Sequence, residues 1–223
     1  MMVFITLSGI EGAGKTTQIR TISDYLTQQG IPCQITREPG GTPIGQKIRR
    51  ILLDPANSAL TAKAELLLYA ADRAQHVDTV IRPALARGEA VLCDRFADCT
   101  TVFQGAARGL PVALIEQIHA IVLEDLKPDI TFLLDLPAET GLARAVKAIE
   151  NGERHTDESR FEKERLDFHE KVRAGYLAIA RREPDRFRVI DASQPTERVA
   201  DAIRQHLAAV IAVRKSFAET RRR

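Results

Sequence analysis

The sequence has little cysteine and little net charge, and it has no long apolar run. Its three cysteines, Cys33, Cys93 and Cys99, are odd in number, widely spaced and without a C-x-x-C pair. This pattern argues against a disulfide framework and against a cysteine zinc site. A reducing compartment suits such a chain best, so we expect a cytoplasmic location.

Charge of one sign is almost absent as well. The 32 Lys and Arg residues and the 30 Asp and Glu residues leave a net charge of +2. No global field therefore directs the chain to nucleic acid or to a membrane surface. The N-terminal apolar run lacks a basic segment and is too short for a signal peptide, and no stretch approaches the ~20 apolar residues of a membrane span. We expect neither nucleic acid nor a membrane among the partners.

Short apolar runs rich in β-forming residues alternate with longer helical patterns. Runs that are apolar on both faces are typical of strands in a buried parallel sheet. We predict strands at Val3–Leu7, Cys33–Thr36, Ala90–Cys93, Ile130–Asp135 and Phe187–Ile190, and helices at 15–29, 43–54, 61–87, 111–125, 137–149, 161–182 and 195–212. The alternation favours a three-layer α/β/α fold with a five-stranded parallel sheet, whose ligands lie at the carboxyl ends of the strands.

The domain organisation is predicted to be simple. We find no internal repeat and no low-complexity linker, and 223 residues suit one α/β domain. We therefore expect one domain over residues 1–213. Residues 214–223, which end in Thr-Arg-Arg-Arg, are expected to form a solvated basic tail.

A glycine-rich loop follows the first predicted strand and precedes a predicted helix. Residues 9–16, GIEGAGKT, fit the phosphate-loop pattern G-x-x-x-x-G-K-[ST] completely. The glycines let backbone N–H groups converge on phosphate oxygens, and Lys15 is expected to reach the outer phosphates. Thr16 is expected to ligate Mg²⁺. The residues predicted to bind the triphosphate are Gly9, Glu11, Gly12, Ala13, Gly14, Lys15, Thr16 and Thr17. The motif predicts the P-loop NTPase type of fold.

The loop alone leaves two classes of function open. One is a nucleotide-binding switch of the GTPase kind, and the other is a kinase that passes the γ-phosphoryl group to a small acceptor. A GTPase should carry N-K-x-D and D-x-x-G, and neither pattern occurs. A kinase instead needs cations for a second anion, a surface for the acceptor and a lid that excludes water.

Residues suited to an acceptor site follow the second and third predicted strands and lie on one predicted helix. Tyr69 and Arg73 are four residues apart, so they share one helix face, where a ring can stack a base and an arginine can grip phosphate. Asp94 and Arg95 close the third strand, and a carboxylate there can reach Mg²⁺. The amide of Gln104 can pair with a base edge.

These segments carry a family resemblance over about residues 4–211. The chain resembles the bacterial thymidylate kinases in the phosphate loop with Glu11 and in "TREPGGT", "LLLYAADRAQH", "VLCDRFADCTTVFQGAARG", "KPDITFLLDLPAETGLAR" and "IDASQP". That family makes dTDP from dTMP and ATP with Mg²⁺, and the resemblance implies a homodimer. Two positions depart from the family pattern: Cys99 replaces the usual serine, and Phe103 replaces a frequent tyrosine.

The resemblance implies a role for each acceptor residue. Tyr69 would stack on thymine, while Gln104 and Thr100 would bond the base edge. Arg73 and Arg95 would hold the dTMP phosphate. Glu38 and Asp94 would act around the 3′-hydroxyl, the phosphate and Mg²⁺, and Phe103 would crowd the 2′ side of the sugar. The implied dTMP-binding residues are Glu38, Pro39, Arg49, Tyr69, Arg73, Arg95, Thr100, Phe103 and Gln104, and the implied metal ligands are Thr16 and Asp94.

A charged segment around Gly152, over about residues 149–161, is predicted to be a mobile lid. Members of the family resembled here that lack a basic residue before the lysine of the phosphate loop take their catalytic arginine from the lid. Glu11 makes this chain one of that kind, so Arg154 and Arg160 are the candidates beside Lys15 and Arg95. The acceptor is already an anion, so no general base is needed, and His76 and His155 are interpreted as incidental. A related acceptor, such as dUMP or a deoxynucleoside, remains an alternative.

Overall fold

The structure is a computed structural model that describes residues 2–152 and 159–220, with side chains described as far as residue 213. Within these ranges, one parallel sheet has the strand order β2-β3-β1-β4-β5. Its strands are β1 (Val3–Ser8), β2 (Cys33–Arg37), β3 (Ala90–Asp94), β4 (Ile130–Asp135) and β5 (Phe187–Asp191). The predicted parallel sheet of an α/β fold is confirmed, and each strand begins at the predicted residue.

The strand register brings the carboxyl ends of the strands to a common edge. Leu7 of β1 and Arg37 of β2 both pair with Asp94 of β3. On the other side of the sheet, Asp135 of β4 pairs with Asp191 of β5. Residues that directly follow β1, β2 and β3 are therefore neighbours in space, although the chain separates them by dozens of positions.

Alternate strand residues enter two different apolar cores. On one face, Val3, Ile5 and Leu7 join a large core that includes the buried side of the last helix. On the opposite face, Phe4 and Val91 join a smaller core. Because the side chains of a strand alternate between faces, this division places helices on both faces of the sheet. The result is the predicted three-layer arrangement.

The helices occupy most of the chain between the strands. They are α1 (Lys15–Gln28), α2 (Pro43–Leu53), α3 (Ala62–His76), α4 (Arg82–Ala86), α5 (Ala97–Thr100), α6 (Val112–Leu123), α7 (Ala138–Glu150), α8 (Leu166–Arg182) and α9 (Thr196–Thr220). Two π-helical turns, Val77–Ile81 and Thr101–Ala107, follow α3 and α5. Thr42 begins α2 as its N-cap, since its hydroxyl accepts a bond from the Gly45 N–H at 2.8 Å.

Four helical regions differ from the sequence prediction. The helix predicted at 61–87 contains the π turn between α3 and α4. The helical turns over 97–107 were not predicted, because buried Asp98, Thr100 and Gln104 interrupt any clean apolar stripe. α8 begins at Leu166 rather than at residue 161, and α9 continues to Thr220 through most of the predicted basic tail.

In the part of the chain that the structure describes, no helix combines the length and the apolar character that crossing a membrane requires.

Candidate active site

The phosphate loop connects β1 to α1, as its sequence predicts. Gly9, Gly12 and Gly14 adopt φ values of 145°, 71° and 85°, which side chains rarely tolerate. A Cβ atom on Gly9 would lie 2.7 Å from the carbonyl oxygen of Leu134. Gly14 is also the N-cap of α1, so the free N–H groups of the first helical turn open into the loop. The backbone is thereby shaped for an anion.

Lys15 lies inside the loop. Its Nζ donates hydrogen bonds to the carbonyl oxygens of Gly9 at 3.1 Å and Ile10 at 2.8 Å. Burial and then the nearby positive charge of Arg95 lower the pKa of the Lys15 ammonium from 10.5 to about 8, against the opposing effect of Asp94. An incoming phosphate would supply negative charge that raises this pKa again and keeps the ammonium charged above pH 8.

A cavity of about 570 Å³, measured with its open mouth, lies beside the phosphate loop at the carboxyl edge of the sheet. It unites residues from the loop, from the end of β2 and from the helical elements around 49–104. Its walls include most of the predicted acceptor residues: Glu38, Arg49, Tyr69, Arg73, Arg95, Thr100, Phe103 and Gln104. Glu11 of the phosphate loop lines the same cavity, so the two predicted binding sites adjoin.

A buried ion-pair network forms one wall of this cavity. The Arg73 guanidinium donates to the Glu38 carboxylate at 2.8 Å and to the Thr100 hydroxyl at 2.9 Å. Glu38 also lies 2.9 Å from Nδ1 of His76, whose Nε2 lies 2.6 Å from the Thr36 hydroxyl. His76, interpreted from the sequence as incidental, therefore contacts Glu38, a predicted acceptor residue. Its position three residues after Arg73, on the same helix face, was the available signal.

Arg95 connects the two halves of the site. Directly after β3 it adopts φ of 65°, uncommon for a residue with a side chain. Its guanidinium donates to the Glu11 carboxylate at 2.7 Å and to the Tyr176 hydroxyl at 3.3 Å. Burial raises the pKa of Glu11, but Arg95 and then His169, 3.6 Å away, hold that pKa well below its usual range. Glu11 is thus a buried, paired anion within the phosphate loop.

The far end of the cavity combines an aromatic ring with an amide. Tyr69 is half-buried and packs against the core while lining the cavity. Gln104 is 1% exposed, and its Nε2 donates to the carboxylate of Glu65 at 2.8 Å. Sequence reasoning missed Glu65. It lies four residues before Tyr69, and that spacing on a helix was the only signal for it.

The two departures from the family pattern lie side by side. The Cys99 thiol accepts a hydrogen bond from the Tyr176 hydroxyl at 2.8 Å and lines the cavity. Phe103 packs edge-on against Phe161, with ring centroids 5.3 Å apart, and lies under the Arg95 guanidinium. The thiol therefore accepts a hydrogen bond at the position where the resembled family usually has a serine hydroxyl.

Pro39 is the one predicted acceptor residue that does not line the cavity. Its carbonyl oxygen accepts a hydrogen bond from Arg49, which does line it, at 3.0 Å. On the other side of the phosphate loop, Ala13 and Thr17 line a separate cleft with Arg144 and residues 192–196. The "DASQP" segment thus lies beside the loop, where the base of a bound triphosphate would have room.

The predicted Mg²⁺ ligands fit the ion chemically. Thr16 is exposed at the start of α1, and Asp94 ends the neighbouring strand β3. Asp94 Oδ1 is buried and lacks a hydrogen-bond partner among the described protein atoms. Mg²⁺ usually takes one or two protein oxygens and completes its shell with water and phosphate, so an open carboxylate beside a phosphate loop suits it.

Of the two candidate lid arginines, the structure describes only Arg160. Arg154 lies outside the described residues, as does His155. Arg160 is 7% exposed, and its guanidinium bonds the Leu52 carbonyl oxygen and the Glu65 carboxylate. It lines a different cavity from the one that contains Glu11 and Arg95. In this conformation Arg160 contacts Glu65 beside the predicted acceptor site rather than the phosphate loop.

The arrangement by itself defines a class of protein. A triphosphate loop and a second, cation-lined pocket share one edge of a parallel sheet, as a P-loop kinase for a small phosphorylated acceptor requires. The model of the thymidylate kinase family matches residues 7–203. The chain belongs to that family.

Individual relatives agree. The chain is 60% identical over 197 residues to a thymidylate kinase of Desulforapulum autotrophicum, covering 88% of this chain and 87% of the relative. It is 57% identical over 198 residues to a thymidylate kinase of Desulfosudis oleivorans, covering 89% and 92%. Among solved structures, the thymidylate kinase of Ehrlichia chaffeensis is similar with a TM-score of 0.71 at 32% identity, covering 91% and 97%.

Proposed function

We propose that the chain phosphorylates dTMP to dTDP at the expense of ATP, with the residue roles that follow. A dTMP phosphate oxygen attacks the γ-phosphorus of ATP, the bond from that phosphorus to the β,γ-bridging oxygen breaks, and ADP leaves. One observation carries the proposal: Glu11 of the phosphate loop and Arg73, Arg95 and Gln104 of the acceptor pocket line a single cavity. Family membership selects thymidylate as the acceptor.

The donor half holds the triphosphate. The backbone of residues 9–16 surrounds the β-phosphate, and Lys15 leaves the Gly9 and Ile10 carbonyl oxygens for the β- and γ-phosphates. Thr16 and Asp94 would hold Mg²⁺, which neutralises charge on the phosphates. The cleft along residues 192–196 receives the adenine.

The acceptor half positions dTMP by charge and by shape. Arg73 and Arg95 bind its phosphate, so the reacting oxygen lies near the γ-phosphorus. Tyr69 stacks on thymine and Gln104 bonds its edge. Phe103 occupies the 2′ side of the sugar, where a ribose hydroxyl would have no partner. No side chain has to remove a proton, since the phosphate is already ionised near neutral pH.

A lid arginine would neutralise the charge that spreads over the transferred phosphoryl group. Arg154 is the first candidate, because the described contacts of Arg160 assign it to Glu65. Arg154→Ala should lower kcat by roughly 10³ with little change in the KM for dTMP. Arg160→Ala should instead raise the KM for dTMP. A reversed pattern would identify Arg160 as the catalytic arginine. A wild-type kcat in both variants would show that neither lid arginine takes part in catalysis.

The experiment that tests the function is a coupled assay of ADP release across a panel of nucleoside monophosphates. ADP release should require both dTMP and Mg²⁺ and should be fastest with dTMP. Equal or faster turnover with CMP, AMP or GMP would refute the acceptor assignment. Tight nucleotide binding with slow, acceptor-independent turnover would instead support a nucleotide-binding switch.

Two broader assignments complete the proposal, a homodimer and a cytoplasmic location. Ile44 and Ile51 are seven residues apart on α2 and are about half exposed, at 52% and 46%. Leu67 of α3, on which α2 packs, is 54% exposed. An exposed apolar strip of this kind suits a self-complementary contact across a two-fold axis. Sedimentation of the purified chain would test it, and a monomer at micromolar concentration would contradict it.

A further inference from the structure

Glu65 is a completely buried carboxylate at the base end of the acceptor cavity. It is 0% exposed. Its Oε1 accepts from Gln104 at 2.8 Å and from Arg108 at 3.4 Å, and its Oε2 accepts from the Arg160 guanidinium. A buried charge persists only when it is paired and hydrogen-bonded, and the two arginines meet that condition.

The neighbouring carboxylate determines which way the Gln104 amide faces. A side-chain amide has a donor end and an acceptor end of almost equal size, so either end can point into a pocket. A carboxylate paired with arginines only accepts hydrogen bonds. Gln104 must therefore turn its nitrogen toward Glu65. Its oxygen is left as the end that can meet a base.

Pyrimidines differ at the atom that such an oxygen would meet. N3 of thymine carries a hydrogen and donates, whereas N3 of cytosine carries a lone pair and accepts. An amide oxygen bonds the first and repels the second. An amide nitrogen in the same place would reverse this preference.

We propose that Glu65 is a positioning residue for base specificity: it fixes the Gln104 amide so that its oxygen selects a pyrimidine with an N3–H donor. This inference rests on the proposed function, in which Gln104 meets the base edge. Arg108 and Arg160 hold Glu65 in place on its other sides. Base selection is therefore built into α3, one layer behind the side chain that touches the base.

The test replaces Glu65 with an isosteric group that has both a donor and an acceptor. In Glu65→Gln the new amide can donate to the Gln104 oxygen, so Gln104 can turn its nitrogen to the base. The ratio of kcat/KM for dTMP to that for dCMP should fall roughly tenfold or more. The ratio is insensitive to the fraction of active enzyme, so partial misfolding does not disturb it.

Two controls separate this effect from a general loosening of the pocket. dUMP shares the N3–H group of dTMP, so the ratio of kcat/KM for dTMP to kcat/KM for dUMP should stay at the wild-type value. In a Gln104→Leu background, adding Glu65→Gln should cause no further change in the ratio of kcat/KM for dTMP to kcat/KM for dCMP. If Glu65→Gln does not fold, Glu65→Asp keeps the charge for both arginines while its carboxylate is drawn back from Gln104, and the same fall is expected.

The possible failures are distinguishable. If the wild-type chain does not phosphorylate dTMP, the proposed function and this inference fall together. If Gln104→Leu lowers the ratio of dTMP to dCMP but both Glu65 variants keep it, only the inference is overturned. It is also overturned if Glu65→Gln lowers the ratio equally in the Gln104→Leu background, or if Gln104→Leu itself leaves the ratio unchanged.

Discussion

In the donor half of the site, backbone groups lie near the surface, whereas in the acceptor half, charged side chains lie in the interior. Gly14, Thr16 and Thr17 of the phosphate loop are exposed. Glu38 and Arg73 are only 4% and 2% exposed. A loop of glycines presents its backbone N–H groups to an anion through its conformation. An acceptor site made of buried ions depends on every partner in its network.

The largest expected effect tests this dependence on partners. Arg73→Met leaves Glu38 buried beside His76 without its guanidinium, so the free energy of unfolding should fall by about 3 kcal/mol. Urea denaturation measures it. The matched control is Arg82→Met, since Arg82 is 35% exposed and pairs with exposed Glu124, and its loss should cost less than about 1 kcal/mol. Equal costs for the two variants would refute the contrast between buried and exposed pairs.

The next effect belongs to the donor half and follows the pKa of Lys15, which burial and Arg95 lower to about 8. Below that pH the free protein carries the charged ammonium that phosphate needs, and above it the ammonium loses its proton. The kcat/KM for ATP should therefore fall by about tenfold per pH unit above pH 8.

The acceptor half provides the control for this pH dependence. At saturating ATP the triphosphate keeps Lys15 charged, so kcat/KM for dTMP should not fall near pH 8. A parallel fall in both parameters would assign the titration to some other group.

A smaller effect separates stacking from core packing at Tyr69. Tyr69→Leu keeps an apolar side chain but removes the aromatic face, so the KM for dTMP should rise roughly tenfold while the KM for ATP stays constant. Tyr25→Leu is the matched control, because Tyr25 is also half-buried against the core but lies on α1. An unchanged KM for dTMP in Tyr69→Leu would show that the ring serves only in core packing.

The smallest expected effect is at Cys99. A serine hydroxyl can accept from Tyr176 as the thiol does, so Cys99→Ser should change kcat/KM for dTMP by less than about threefold. Cys99→Ala removes the acceptor and leaves a buried hydroxyl on Tyr176, so it should lower the free energy of unfolding by about 1 kcal/mol. Thermal denaturation compares the two variants, and equal stability would contradict an acceptor role for the thiol.

The difference between the two halves also explains what the sequence could reveal. The phosphate loop is one contiguous pattern, because its chemistry lies in consecutive backbone groups. The predicted acceptor residues come from β2, α3 and the turns after β3. Their positions at strand ends and on one helix suggested a common site for Arg73, Arg95 and Gln104, and the family resemblance assigned each of them a role. The strands were predictable because burial on both faces leaves an unbroken apolar run, as in Val3–Ser8.

The residues that support the site were harder to predict. Glu65 and His76 lie on the same face of α3 as Tyr69 and Arg73, but a buried charge is recognisable only once its partners are in place. The turns over 97–107 were missed for a related reason. Their inward side mixes apolar Val102 and Phe103 with polar Thr100 and Gln104, so the sequence lacks the clean apolar period of a core helix.

The ion pair between Glu11 and Arg95 has a consequence for how the two substrates bind. In the proposed function, Glu11 belongs to the loop that would hold ATP and Arg95 to the pocket that would hold dTMP, yet their side chains share one bond of 2.7 Å. A nucleotide that binds to either of these side chains changes the hydrogen bonds that the other side chain can offer to the second nucleotide. The two affinities are then interdependent, and thermodynamic reciprocity requires that ATP change the affinity for dTMP by the same factor by which dTMP changes the affinity for ATP.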